Sequence, residues 1–338
     1  MSHLSPEDFF RNFAGSDFSE FTALPQSGSA RKNFIGKSSG RKYVVTSNEN
    51  ISENRSFLYF SEKFTEFGLN TPKIFTVSED EKMYIQEFLG EQTLSEIIEK
   101  ENLSERVKNL VKQTLEKLRK LQLKTESQID FSKTFEYEAY DEIPVSYDLF
   151  YFKFMFADIL EVQYHKTGLL KEFKKIEKLV ESLEPKGVMI RDFQPRNIMV
   201  NDRDEVFFID YQSAMKGPMM YDVISFLFQA KADFPENFRE EMLSYYYSLW
   251  ENQETVNQLK YSLQPLQMMR FLQVLGVYGF RGLVQRKPHF IQSIEKGIEN
   301  IYTLSESWEK MNEFPELKSV INRLHSEEIK KKIIKNIN

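Results

Sequence analysis

The chain has 338 residues, a net charge of −6, 41% hydrophobic residues and no cysteine. This length exceeds the size at which one hydrophobic core usually stops growing, so two lobes or domains are expected. The negative charge disfavours nucleic-acid binding, and the lack of cysteine excludes disulfides, thiolate zinc sites and cysteine nucleophiles.

The ends and the apolar runs of the sequence indicate a cytoplasmic protein. The N-terminus MSHLSPEDFF has no basic stretch before an apolar run, and no apolar run approaches the roughly 18 residues of a membrane span. The four histidines are scattered without metal-binding spacing. We therefore expect no membrane partner and no nucleic-acid partner, and a monomer or homodimer.

The N-terminal part has the pattern of a small antiparallel sheet with one helix. LSPEDFFRNFAG predicts a short first helix with Ser5 as its N-cap and Gly15 at its end. KNFI and KYVV predict a hairpin that follows a Gly/Ser-rich turn. ISENRSFLYFSEKFTEFG predicts an amphipathic helix that ends at Gly68, and PKIFTVSEDEKMYIQEFL predicts two further strands.

Beyond this part the pattern is mainly helical. We expect helices over TLSEIIEKENLSERVKNLVKQTLEKLRKLQ and over about 147–184, 219–251, 255–275 and 289–312. The short strands GVMI, IMV and EVFFI interrupt them, and the basic end EIKKKIIKNIN is interpreted as a solvated helix end or a frayed tail. The sequence thus predicts an α+β fold with an N-terminal lobe, 1–88, and a mainly helical lobe, 89–338.

Three polar residues lie at the ends of the short apolar strands. Asp192 follows VMI, Asn197 comes five positions later and precedes IMV, and Asp210 follows VFFI. Carboxylate and amide oxygens suit magnesium, and phosphoryl transfer needs one aspartate to accept or orient the proton of the attacking hydroxyl. The order D-x4-N, hairpin, D matches the catalytic loop and metal-binding aspartate of protein kinases.

The stretches IRDFQPRNIMV and VFFIDYQSAMKGPMMYDVISFL resemble the aminoglycoside phosphotransferase and choline kinase-like superfamily. More narrowly, they resemble bacterial kinases of cell-wall recycling that phosphorylate the anomeric hydroxyl of N-acetylmuramic acid and N-acetylglucosamine. Motifs of that branch read H-R-D-[FY]-x-x-R-N, I-D-F-Q and G-P-x-x-Y-D. Asp222 comes only twelve positions after Asp210, which leaves no room for a protein-kinase activation segment and favours a small-molecule substrate.

The resemblance implies a protein-kinase-like two-lobe fold, ATP and Mg²⁺ as cofactors, and direct transfer without a phospho-enzyme. By position, Asp192 would be the catalytic base, Asn197 and Asp210 the metal ligands, and Asp222 a structural tie to the catalytic loop. Ile190 departs from the pattern, since related enzymes have a histidine here that braces this loop. We expect activity to survive the change.

The nucleotide side departs from the pattern as well, because Thr46 stands where a strand lysine would fall. Arg31, Lys32 and Lys42 are the candidate phosphate contacts, with Glu53, or alternatively Glu62, as the partner of the cation. Ser27, Gly28 and Ser29 would approach the phosphates through their backbone N–H groups. The main chain of Gln86, Glu87 and Phe88 would hold the adenine.

The acceptor site is predicted from polar and basic residues near the two motifs and near the end of the helical lobe: Gln194, Arg196, Gln212, Arg281 and Arg286. The phenylalanines of 147–156 are interpreted as core. Two alternatives stay open. One is a kinase of another small alcohol, such as an aminoglycoside or choline. The other is a nucleotide-binding protein without catalysis.

Overall fold

The computed structural model describes residues 4–25 and 30–337. These residues divide into two compact units, one from 1–138 with 190–215 and the other from 139–189 with 216–338. An antiparallel sheet near the N-terminus and a mostly helical remainder confirm the predicted α+β class. The boundary at residue 88 stays a prediction.

Ten strands and thirteen α-helices follow one another along the described residues. The strands are β1 Phe18–Ala23, β2 Lys32–Ser38, β3 Arg41–Ser47, β4 Ile74–Val77, β5 Met83–Glu87, β6 Gln92–Thr93, β7 Lys186–Met189, β8 Ile198–Val200, β9 Val206–Phe208 and β10 Met215–Pro218. The helices are α1 Pro6–Ala14, α2 Ile51–Glu66, α3 Leu94–Glu101, α4 Glu105–Lys124, α5 Glu142–Phe152, α6 Lys166–Glu181, α7 Met220–Leu227, α8 Glu236–Ser248, α9 Gln253–Tyr278, α10 Pro288–Ile291, α11 Ile294–Ser307, α12 Pro315–Leu324 and α13 Glu327–Ile337.

The first unit is built on a five-stranded antiparallel sheet with the order β1-β2-β3-β5-β4. The β2–β3 hairpin turns at Ser39 and Gly40, both of which have positive φ, as the tightest hairpin turns require. Helix α1 begins at Ser5, whose side chain accepts a hydrogen bond from the N–H of Asp8, and this confirms the predicted cap. It packs Phe9 and Phe10 into the sheet core.

Helix α2 and a second small sheet complete this unit. Asn50 caps α2 by accepting from the N–H of Glu53. Of the four phenylalanines predicted for its apolar face, Phe57, Phe60 and Phe64 are buried, and Phe67 at the C-cap is partly buried. The small sheet has the order β6-β8-β9. Asn197 directly precedes β8, and Asp210 comes two residues after the end of β9. Because β8 and β9 pair as an antiparallel hairpin, the two sequence motifs lie at the same end of this hairpin.

The second unit is helical apart from the strand pair β10-β7. Its central helix α9 contacts α5, α7 and α11. Both α5 and α9 run on into π-helical segments, Lys153–Ala157 and Gly279–Val284, and these two segments contact each other. They approach closely at Gly279, where a Cβ atom would lie 1.8 Å from the carbonyl oxygen of Met155. A side chain at this position would therefore force the backbone to shift.

The structure differs from the sequence-based expectations in several connections. The helix expected over 147–184 is two helices, α5 and α6, and the one over 219–251 is α7 and α8. Strand β1 was not expected, because its FSEFTA pattern lies at a sheet edge and is mostly exposed. The basic end forms the helix α13. In the described ranges, 4–25 and 30–337, none of the helices is long and apolar enough to cross a membrane.

Candidate active site

The segment 190–197 is a tight loop closed by its own side chains. Asp192 donates its N–H to the carbonyl oxygen of Ile190 at 2.9 Å, and Arg191 between them has a φ of 70°. Non-glycine residues seldom adopt this conformation, and strained residues of this kind cluster at functional sites. The Asn197 side-chain amide donates to the carbonyl oxygen of Asp192 at 2.9 Å, so Asn197 fixes the main chain that carries Asp192.

The Asp192 carboxylate has a hydrogen-bond donor on each oxygen. Gln194 Nε2 lies 2.5 Å from Oδ1, and Arg196 Nη2 lies 2.8 Å from Oδ2. Asn197 Nδ2 adds a longer contact of 3.4 Å to Oδ2. The Asp192 side chain is nevertheless 36% exposed, which leaves it open to an incoming group.

Asp210 is reached through the β8–β9 hairpin. Its neighbour Ile209 donates its N–H to the carbonyl oxygen of Asn197 at 3.0 Å, so Asn197 and Asp210 lie side by side on adjacent chain segments. Asp210 itself has a φ of 64°. The Asp210 carboxylate accepts hydrogen bonds from Arg31 Nη2 and from Gln212 Nε2, both at Oδ1.

Arg31 is the cation of this site. Its guanidinium contacts Asp210, lies 3.2 Å from Gln212 Oε1, and has its Nε atom 3.4 Å from Glu53 Oε1 on α2. The Arg31 side chain is only 15% exposed. Burial opposes its charge, but the interactions with Asp210, followed by smaller ones with Tyr84 and Glu53, outweigh burial and raise the pKa of Arg31. An arginine just before β2 thus links Asp210 to Glu53 on α2.

Helix α2 is attached to the segment 210–212 at three points. Ser56 Oγ donates to the carbonyl oxygen of Gln212 at 2.7 Å, and Ser61 Oγ lies 2.7 Å from the Tyr211 hydroxyl. Phe57 stacks on Tyr211 with ring centroids 4.9 Å apart. Sequence reasoning missed both serines. The available signal was small polar residues on the otherwise aromatic face of an amphipathic helix.

The other nucleotide-side candidates are less closely grouped. Lys32 is an exposed residue at the start of β2, and Lys42 pairs with Glu91 and lies 5.1 Å from the ring of Phe88. Ser27, Gly28 and Ser29 lie outside the described residues. Glu62, the alternative partner for the cation, is on α2, but it is Glu53 that contacts Arg31.

Thr46 and the end of β5 have partners in the sheet. Thr46 Oγ1 donates to Asn33 Oδ1 at 2.8 Å and accepts from Gln86 Nε2 at 3.1 Å. Gln86 and Glu87 pair with β3, and the N–H of Glu87 donates to the carbonyl oxygen of Lys73. Of the three residues predicted to contact adenine, Gln86 and Glu87 lie in β5 and Phe88 directly follows it.

Three predicted residues belong to the second unit. Asp222 is fully buried in the first turn of α7, which begins after Met219, so Asp222 is not the N-cap residue of this helix. Arg281 lies in the π-helical segment, where it donates to Gln285 Oε1 at 2.9 Å. Arg286 is exposed and has a φ of 55°.

Comparison with known proteins decides the family. Residues 20–255, more than half of the chain, match the Phosphotransferase enzyme family (APH). The chain belongs to this family. No curated protein matches this phosphotransferase.

Solved structures similar to this phosphotransferase have the kinase-like fold. The choline kinase LicA from Streptococcus pneumoniae has a TM-score of 0.59 at 13% identity, over 88% of this chain and 99% of that one. An ethanolamine kinase from Plasmodium vivax has a TM-score of 0.62 at 14% identity, over 88% and 85%. The aminoglycoside phosphotransferase APH(4)-Ia, in a ternary complex with ADP and hygromycin B, has a TM-score of 0.59 at 16% identity, over 90% and 98%.

The oxygen atoms of the phosphotransferase site fit a hard divalent cation. Both donors to Asp210 use Oδ1, and the Asn197 amide uses its N–H for Asp192, so Asp210 Oδ2 and Asn197 Oδ1 accept no hydrogen bond from the described residues. Magnesium prefers one or two such oxygens together with phosphate oxygens. Among the described residues, no group of three or more His, Asp or Glu could hold a metal alone.

Proposed function

We propose that this chain transfers the γ-phosphoryl group of ATP to a hydroxyl of a small molecule, namely the anomeric hydroxyl of an N-acetylated amino sugar. The observation that carries the proposal is the pairing of two clusters in one unit. Asp192 is partly exposed in a closed loop, and the hairpin that follows delivers Asp210 to a largely buried arginine.

Asp192 acts as the base in this proposal. Its carboxylate accepts the proton of the acceptor hydroxyl while the acceptor oxygen forms a bond to the γ-phosphorus. The bond from that phosphorus to the β–γ bridging oxygen breaks, and ADP leaves. Direct in-line transfer needs positioning and charge neutralisation more than covalent chemistry from the protein.

Asp210 Oδ2 and Asn197 Oδ1 would hold Mg²⁺, which neutralises phosphate charge when it is bound. Arg31 supplies a second positive charge for the phosphates, and Glu53 orients it from α2. The main chain near Phe88 holds the adenine. These assignments give Arg31 the part that a strand lysine has in protein kinases.

The amino-sugar acceptor is favoured by the branch motifs, since IRDFQPRN and GPMMYD are close to those of the N-acetylmuramate and N-acetylglucosamine kinases. Arg281 supports an acceptor that carries a carboxylate, because a guanidinium without a carboxylate partner in the described part of the chain is available to bind one. The structural neighbours include choline and ethanolamine kinases, whose acceptors are cations. A cationic acceptor is therefore the alternative that the assay must exclude.

The test is a panel of acceptors assayed for ADP release with Mg-ATP. N-Acetylmuramate and N-acetylglucosamine should be phosphorylated, and choline, ethanolamine and aminoglycosides should not. Asp192→Asn should lower kcat at least tenfold while Mg-ATP still raises the thermal denaturation temperature. Phosphate on choline and none on amino sugars would refute the acceptor. Activity that survives in Asp210→Ala would refute the metal assignment, and ATP binding without any turnover would leave a nucleotide-binding protein.

A further inference from the structure

Gln194 and Arg196, which sequence reasoning assigned to the acceptor, both bind the proposed base. Gln194 donates to Oδ1 of Asp192, and Arg196 donates to Oδ2. A carboxylate held at one oxygen can rotate about its Cβ–Cγ bond, whereas one held at both oxygens keeps a single plane. The two side chains therefore determine the orientation of Asp192.

The contact between Arg196 and Asp192 has little value for stability. The Arg196 side chain is 57% exposed and that of Asp192 is 36% exposed, and ion pairs in such positions contribute little to folding. The two residues also lie only four positions apart, so their contact joins no distant parts of the chain. An exposed local pair on a reactive carboxylate is better explained by function than by folding.

Gln194 is fixed by burial. It is only 7% exposed, and Pro195 immediately after it starts the short 3₁₀ turn Pro195–Asn197. The N–H of Asn197 closes this turn on the carbonyl oxygen of Gln194 at 2.8 Å. The amide of Gln194 is thus presented to Asp192 by a rigid segment.

The side chain at position 190 cannot help to orient the Asp192 carboxylate by a hydrogen bond. Ile190 is 1% exposed and its side chain cannot form hydrogen bonds. The residue that follows Asp192, Phe193, is also buried and packs edge-on against Phe208 at 4.8 Å. The hydrogen bonds from positions 194, 196 and 197 thus reach the carboxylate from the downstream side of the loop.

We propose that Gln194 and Arg196 are positioning residues that hold the Asp192 carboxylate in the orientation that accepts the proton, and that they make a histidine at position 190 unnecessary. The inference rests on the proposed function only in that Asp192 is the base. It is independent of which hydroxyl is the acceptor.

The experiment separates positioning from substrate binding by its kinetics. Arg196→Ala and Gln194→Ala should each lower kcat about ten- to hundredfold, because small misplacement of a reacting group costs this much. The KM values for the acceptor and for ATP should stay within about twofold. Arg196→Lys should retain more activity than Arg196→Ala, and added guanidinium salt should partly restore Arg196→Ala but not Gln194→Ala.

The matched control is Arg203→Ala, an exposed arginine in the turn between β8 and β9, which should leave kcat unchanged. Equal thermal denaturation temperatures of the variants and the parent exclude a folding defect. A raised acceptor KM at unchanged kcat would show that Arg196 binds the substrate and would overturn the inference, and so would a kcat like that of Arg203→Ala. The assay uses whichever acceptor the panel identifies, or slow ATP hydrolysis by water if no acceptor is turned over. The acceptor panel can therefore refute the amino-sugar proposal without affecting the test of Gln194 and Arg196.

Discussion

Replacing Arg31 by methionine tests the centre of the site. Methionine keeps the length of the side chain and removes the charge, which leaves the Asp210 and Glu53 carboxylates without their cation. The side chains of Arg31, Glu53 and Asp210 are 15%, 18% and 28% exposed, between the limits of an exposed pair and a buried one. Removing one partner costs about 0–1 kcal/mol for exposed pairs and about 3–5 kcal/mol for buried pairs.

We therefore expect Arg31→Met to lower the free energy of unfolding by about 2 kcal/mol, measured by urea denaturation, and to raise the KM for ATP. The double variant with Glu53→Gln should recover part of the stability, because one of the two unpaired carboxylates is gone, without recovering the KM. Arg55→Met is the control, since Arg55 lies on helix α2, as Glu53 does, and pairs with Glu81 at the surface. If Arg31→Met and Arg55→Met behave alike in both measurements, the role given to Arg31 is wrong.

Two further predictions concern packing and ionisation. Gly279→Ala should lower the free energy of unfolding by about 3 kcal/mol or more in urea denaturation, because its Cβ would overlap the Met155 carbonyl oxygen. The control is Gly282→Ala, which should cost much less because the nearest neighbour of its Cβ would be 3.3 Å away. Equal losses in the two variants would contradict the close approach at Gly279. Burial raises the pKa of Tyr84 from 10.0 to about 12. Because the pKa of Tyr84 is higher in the folded chain than in the unfolded chain, its contribution to the free energy of unfolding is complete below about pH 10. This contribution is lost as pH rises through about 12. Tyr84→Phe should therefore lose less stability than the parent over that interval, and an unchanged alkaline profile would refute the assignment.

The sequence predicted those parts of the fold that depend on local periodicity and caps. Ser5 caps α1 and the aromatic stripe of α2 is buried, since both follow from spacing within one element. Helix breaks were missed around 153–165 and 228–235, because the chain there remains apolar enough to continue a helical pattern. The π-helical segments depend on contacts between α5 and α9, which periodicity does not contain.

In the candidate active site as well, features set by local sequence could be predicted, and features set by contacts between distant residues could not. The grouping of Asn197 with Asp210 could be predicted, because strand ends and a short hairpin fix it. Arg31 was one of three equivalent candidates in sequence, and only the fold of the chain shows which cation reaches Asp210. Gln194 and Arg196 looked like acceptor contacts because their type suits a sugar, whereas their direction depends on the loop geometry. The roles of all these residues stay predictions until variants are measured.

The attachment of α2 to the segment 210–212 has a consequence for control. Many protein kinases are switched off by displacing the corresponding helix. Here such a displacement would leave the Gln212 carbonyl and the Tyr211 hydroxyl without the serines that pair with them, at a cost of about 1–3 kcal/mol for each buried group. We therefore expect α2 to keep its place beside the segment 210–212 rather than to act as a displaceable switch.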